Sequence, residues 1–155
     1  MGDYNCCFCN QIETIEHLFF CCSIAKVTWG LVAKCINRND IPGDIDQCCL
    51  WLNNHLPGMK SIHIVGVVAI CWSIWKARNK MCFENILIKS PNEILCHAYA
   101  LMTYWAGLSK KELKDLLQDG AKLLMKAACA KLGSGRDEYA EDEDKERDRQ
   151  QEDGA

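Results

Sequence analysis

The chain has 155 residues, about half of them apolar, and a formal net charge of −3. It is long enough to bury the core of one domain, and a mildly basic body with an acidic tail is compatible with a nucleic-acid partner without demanding one. Twelve cysteines, with no basic and apolar leader at the N-terminus, point to a reducing intracellular compartment, nucleus or cytoplasm, in which thiols stay free or hold metal.

MGDYNC lacks the Ser or Thr at the sixth position that N-myristoylation requires. The longest apolar run, IHIVGVVAICWSIW, is shorter than the roughly 20 residues of a bilayer crossing, so no membrane association is expected. Charge is unevenly spread: residues 136–155 carry ten acids and four bases, which leaves the remainder at +3. This acidic tail is too polar to offset the entropy of ordering and is expected to be disordered over 133–155.

The chain opens with a cysteine-rich, turn-like stretch to Cys22, in which only ETIEH hints at a short hairpin arm. A helix is predicted from Ser23 as cap, with Val27, Leu31, Val32, Cys35 and Ile36 at helical spacing. NRNDIPGD breaks it, and a short helix over DIDQCCLWLNNHL stops at Pro57-Gly58. Within it, Cys48 and Cys49 read as core positions beside Leu50 and Leu52. Residues 59 to about 84 form the longest periodic run, apolar nearly all round from Ile62 to Trp75, and are expected to be a buried central helix.

Ser90 with Glu93, and Pro91 at the first helical position, start the next helix, which ends near Gly107. Ser109 with Glu112 is read as a second capping box, opening a last helix whose stripe is Leu113, Leu116, Leu117, Leu123, Leu124 and Ala128. The expected fold is mainly α: residues 1–30 form a knuckle and first helix, 31–132 a helical region that completes a bundle of about five helices, and 133–155 the tail.

The opening stretch CCFCNQIETIEHLFFCC carries one ligand register, Cys6-x2-Cys9-x7-His17-x4-Cys22. Two thiolates two residues apart reach one ion across a tight turn, and the returning loop supplies the other two corners of a tetrahedron. One structural Zn2+ is expected there. Four protein ligands leave no position for water, so a hydrolytic role is not. Cys21 is an alternative fourth ligand; Cys22 is preferred because it precedes a helix N-terminus, which favours a thiolate. Cys7 is surplus. The competing reading is that these are small buried hydrophobes, a common fate of free cysteine.

The same residues, followed by SIAKVTW, resemble the zinc-binding segment downstream of the polymerase domain in plant non-LTR (LINE-type) retroelement reverse transcriptases. That family's pattern of C-x2-C, an acidic-polar spacer, EHLFF, a cysteine and a short helix ending in Trp falls on Cys6, Cys9, Glu16, His17, Leu18, Phe19, Phe20, Cys22 and Trp29. A second block, Trp72 to Asn85, is similar to the family's W-x-x-W-K-x-R-N-x-x-x-F. The paired aspartates of the polymerase are missing, and residues 87–132 read as helices rather than as an RNase H domain. The resemblance therefore implies an isolated, non-catalytic zinc-binding piece of a retrotransposon protein.

Phe8, Lys76, Arg78 and Lys80 are the candidate nucleic-acid contacts, with Phe19 or Phe20 as further stacking groups; the candidate partner is RNA or single-stranded DNA. Trp72, Trp75 and Phe83 are expected in the core, because aromatic stripes at helical spacing usually face inward. His55, His63 and His97 stand alone, without a metal-ligand partner near in sequence. No nucleophile elbow or phosphate loop occurs, so neither an enzyme nor a small-molecule substrate is expected. The alternative to nucleic-acid binding is a purely structural, zinc-stapled scaffold, a protein-interaction fragment or a non-functional relic, because the knuckle itself has two acids and no Lys or Arg.

Overall fold

The structure, a computed structural model, describes residues 5–58 and 60–129. Within them the chain forms a π-helical turn (His17–Cys21) and α-helices α1 (Ser23–Cys35), α2 (Ile45–His55), α3 (Lys60–Glu84) and α4 (Pro91–Leu108), then α5 over 111–129. The mainly α architecture is as the sequence implies; the tail, 133–155, lies outside the described residues. The only bridged pair among the described residues is Asn5 with Ile12, antiparallel. ETIEH is therefore no strand arm: the hairpin closes before it, and the chain is already helical at Ile15.

Helix ends follow local chemistry. Asp44 caps α2 by accepting from the Gln47 amide at 2.7 Å, and Ser90 caps α4 by accepting from Asn92, with Pro91 at the first position. Two expected caps move. Cys22, not Ser23, is the N-cap of α1. Ser109 terminates α4 instead of starting α5: its hydroxyl donates back to the Trp105 carbonyl at 2.8 Å. Among the described residues, the non-glycine residues with positive φ are asparagines, Asn10, Asn37 and Asn85, which tolerate the left-handed region. Asn37 ends α1 with Arg38 N–H bonding Ala33 O and its own N–H bonding Lys34 O, a Schellman arrangement.

The core gathers Trp29 and Leu31 of α1, Trp51 of α2, Ile70 and Ile74 of α3, Leu95 and Met102 of α4, and Leu117 and Leu124 of α5. α3 packs along α4, with α1 and the π-turn packed across them. Gly120 brings α5 close: a Cβ there would stand 3.1 Å from both Ile62 and Met102. The division at residue 30 falls inside α1, whose unbroken helix carries the knuckle into the common core.

α3 departs from the expected all-round burial. It buries Ile62, His63, Ala69, Ile70, Ser73 and Ile74, but Ile64, Val68, Trp72 (48% exposed), Trp75 (41%) and Phe83 (75%) face outward. Its packing partners, α4, α2 and the π-turn, cover one face, so a helix apolar on both faces leaves the other exposed. By length and composition alone α3 could cross a bilayer, because the helix extends beyond the apolar run at both ends; its inner face instead packs on α4, α2 and the π-turn. On α2, Cys48 is buried as expected, whereas Cys49 and Leu50 are exposed.

Candidate metal centre

The first turn is built by backbone bonds around Cys6: its N–H bonds Gln11 O at 2.7 Å and its carbonyl accepts from Asn10 at 2.7 Å and from Cys9 at 3.3 Å. Left-handed Asn10 lets the chain reverse there. Both thiols of Cys6 and Cys9 then turn to one side. Thr14 Oγ1 accepts from the His17 amide at 3.0 Å and starts the helical segment.

In an α-helix, residues five apart differ by about 140° in direction. The π-turn closes an i→i+5 bond, from Cys22 N–H to His17 O, and so brings Cys22 back over His17. The turn is held from outside by Trp29 of α1, which stacks on Phe20 at 5.7 Å and donates its indole N–H to Phe19 O at 2.8 Å.

Cys6, Cys9, His17 and Cys22 thus converge, with their ligand atoms all within 4.8 Å of one another. The sulfurs of Cys6 and Cys22 are 3.7 Å apart and those of Cys22 and Cys9 3.9 Å; His17 Nε2 lies 3.1 Å from Cys9 Sγ. Thiolates at the corners of a tetrahedron about a metal with bonds of about 2.3 Å sit about 3.8 Å apart, so the sulfur spacing fits a single ion. Cys6 and Cys22 are 1% and 0% exposed and His17 is buried, which closes the group to water on all but the Cys9 side.

The thiols differ in character. Burial pushes the Cys6 thiol up to about 12, assisted by the neighbouring Cys22 and opposed by the amides of Phe8 and Cys9. Burial also acts to raise Cys9, but the amides of Gln11 and Ser23 and the thiols of Cys6 and Cys22 outweigh it and hold Cys9 below the usual range. The Ser23 amide belongs to the first residue of α1, so the helix N-terminus acts on Cys9, not on the Cys22 for which it was expected. Cys21 turns away, its Sγ 3.5 Å from Gly43 O, and Cys7 points to Arg78 O at 3.7 Å; neither joins the four.

The expected nucleic-acid contacts are scattered. Phe8 is half-buried against the core. Arg78 makes a two-pronged ion pair with Glu13, at 2.8 and 3.3 Å, that ties α3 to the loop inside the knuckle between Cys9 and His17; its guanidinium also lies 5.7 Å from the Phe83 ring centre. Lys76 and Lys80 remain exposed. Trp72 and Trp75, expected in the core, lean together with ring centres 5.0 Å apart and, with Phe19, Val68 and Cys71, line an apolar groove. His97 joins no group of metal ligands among the described residues; it is 3.1 Å from Ser73 Oγ and 3.5 Å from Lys76 Nζ. Sequence spacing could not show this, because the partners lie on different helices.

Fold and site together define a small α-helical module organised on a closed group of three cysteines and one histidine that could hold a metal ion. The chain matches no family model, and no curated protein or solved structure is similar to it.

Proposed function

We propose that this chain is a non-catalytic module in which one zinc ion, held by Cys6, Cys9, His17 and Cys22, staples the knuckle to α1, and in which the outer face of α3 binds single-stranded RNA or DNA. The observation that carries the binding half is the exposure of Trp72 and Trp75 beside Lys76, with Phe83 and Lys80 further along α3. Single-strand binders combine exposed aromatic faces, on which bases stack, with cations that follow the phosphates. Zinc is the choice because its structural sites are tetrahedral, sulfur-rich and closed. The four-protein donor set leaves no coordination position for a substrate or an attacking water, which supports a structural ion. The resemblance of both blocks to the zinc-binding segment of plant retroelement reverse transcriptases supports a retrotransposon origin.

The test is titration of the zinc-loaded full chain with a short single-stranded oligonucleotide, followed by tryptophan emission at several salt concentrations. Binding should quench the emission, and the logarithm of the affinity should fall with the logarithm of salt at a slope of about −0.7 for each phosphate engaged. Trp72→Ala should weaken binding by about 1–3 kcal/mol. Absence of quenching at low salt would sink the reading and leave the Ile64, Val68, Trp72 and Trp75 strip as a protein-docking face, which is how exposed apolar patches more commonly serve.

A further inference from the structure

The cleft between the second half of α3 and the first turns of α4 holds a polar cluster that the metal group and the tryptophan strip do not use. Ser73 on α3 is almost fully buried and donates its hydroxyl proton to the Ala69 carbonyl at 2.7 Å. With that proton committed, Ser73 Oγ is an acceptor toward His97 Nδ1 at 3.1 Å, so Nδ1 carries the hydrogen. In the neutral ring Nε2 is then a lone pair, and it faces the Lys76 ammonium at 3.5 Å. Lys80 lies one turn further along α3 and lines the same cavity of about 100 Å³.

Among the described residues, neither lysine is in an ion pair. Glu93 of α4 lines the cavity too and is its only acid. Cations four residues apart on one helix repel each other. Lys76 and Lys80 are held in this relation above a half-buried imidazole, an arrangement that an anion would relieve. Ile86, Leu87 and Ile88, in the segment leaving α3, form an apolar wall opposite the cations.

We propose that Ser73, Lys76, Lys80 and His97 form a phosphate-binding subsite in which His97 turns from acceptor to donor by taking a proton at Nε2. Ser73 holds the ring and so positions it; the two lysines and the imidazolium are the groups that would touch the anion. The proposal deepens the strand-binding reading, and rests on it only for the source of the phosphate, free in solution or in a nucleic-acid backbone.

The sign of the pH dependence follows from the surroundings. Burial, then Lys76, then Lys80 hold His97 below its usual value, so the empty cleft carries a neutral ring near neutrality. Glu93 on the same helix acts in the opposite sense. Cys96 and, from α5, Cys129 flank it. An anion between the lysines and the ring favours the charged imidazole. Binding therefore favours proton uptake by the ring.

The experiment is a titration of the histidine ring signals of the full zinc-loaded chain by NMR between about pH 5 and 8. It is run alone, with inorganic phosphate, and with a short single-stranded oligonucleotide lacking terminal phosphates; His97→Gln assigns the signal. The expected result is an upward shift of the His97 midpoint with inorganic phosphate, by about one unit for each tenfold difference in anion affinity between the two ring states. Lys76→Gln should weaken phosphate binding about tenfold.

A shift with both ligands supports the subsite as part of the strand path. A shift with inorganic phosphate alone supports the subsite and assigns it to free phosphate. No shift with inorganic phosphate, or an undiminished shift in Lys76→Gln, overturns it. Trp72→Ala/Trp75→Ala separates the two readings: loss of strand binding with the phosphate response of His97 intact leaves this subsite standing whatever becomes of the strand.

Discussion

Two adjacent cysteines, Cys21 and Cys22, show how one backbone step decides chemistry. Cys22 ends the π-turn and caps α1 with its sulfur inside the group; Cys21, one residue earlier, faces Gly43 and solvent. Cys22→Ser should therefore abolish stoichiometric zinc, whereas Cys21→Ser should retain one ion per chain, as measured by metal analysis after dialysis under reducing conditions. Equal retention in both variants would overturn the ligand set. Arg78 makes a similar point about charge. Sequence alone offers it as a phosphate contact beside Lys76 and Lys80, but Glu13 claims both prongs of its guanidinium. Glu13→Gln should cost about 1–2 kcal/mol of stability, read as a lower urea midpoint, because the charge-assisted pair is mostly shielded from water. It should leave the salt slope of strand binding unchanged.

At the scale of elements, α3 joins the two halves of the proposed function. Its inner face is core; one flank, through Arg78, meets the knuckle; the other, through Lys76 and Lys80, meets α4 and His97. The strip between them bears Val68, Trp72 and Trp75. Replacing Trp72 and Trp75 together should leave the thermal midpoint within a few degrees of the parent, since surface substitutions away from buried features usually fall within about 0.5 kcal/mol. A large drop would mean that the indoles are structural after all. α4 shows a simpler element-level effect. The Ser90 cap accepts from Asn92, and Asn92 in turn donates to Ala128 O of α5 at 2.8 Å, so Ser90→Ala should cost about 1 kcal/mol and loosen the α4–α5 contact.

For the whole molecule, the metal group and the bundle share one core, because Cys6, Leu18, Phe20 and Cys22 pack with Ala25 and Trp29 of α1. Chelation of the metal should therefore lower the urea midpoint of the entire chain rather than release the knuckle alone, and remetallation should restore it. Acidification acts at another point. His63 is buried on α3, its Nε2 has no hydrogen-bond partner among the described residues, and burial, against a backbone bond to Leu56, holds it below the usual histidine value. The folded chain then binds fewer protons than the unfolded one as pH falls below about 6.5, so stability is lost through that window toward the depressed folded value. His63→Leu should flatten this part of the pH profile; a profile unchanged from the parent would show that His63 is solvated.

The sequence by itself determined the local features. Helical periodicity, Pro91 and Ser90, the Asp44 cap and the Cys-x2-Cys…His…Cys spacing all act over a few residues, and the positions of the helices and the convergence of Cys6, Cys9, His17 and Cys22 follow from them. Ser23 and Ser109 are the exceptions within that range: Cys22 takes the cap position of α1, and the Ser109 motif suits a helix start and a helix end equally, with the Trp105 carbonyl the available partner. What only the tertiary structure decided is which side of each element is covered. Periodicity shows that α3 is apolar around most of its circumference; only the number and placement of its neighbours determine that Trp72, Trp75 and Phe83 stay outside. Likewise, Ser73 and His97 lie 24 residues apart and Glu13 and Arg78 lie 65 apart, and no short-range pattern encodes such meetings. They arise when α3 and α4 bury their apolar faces against each other and the polar groups at the rims find the nearest partner of opposite character.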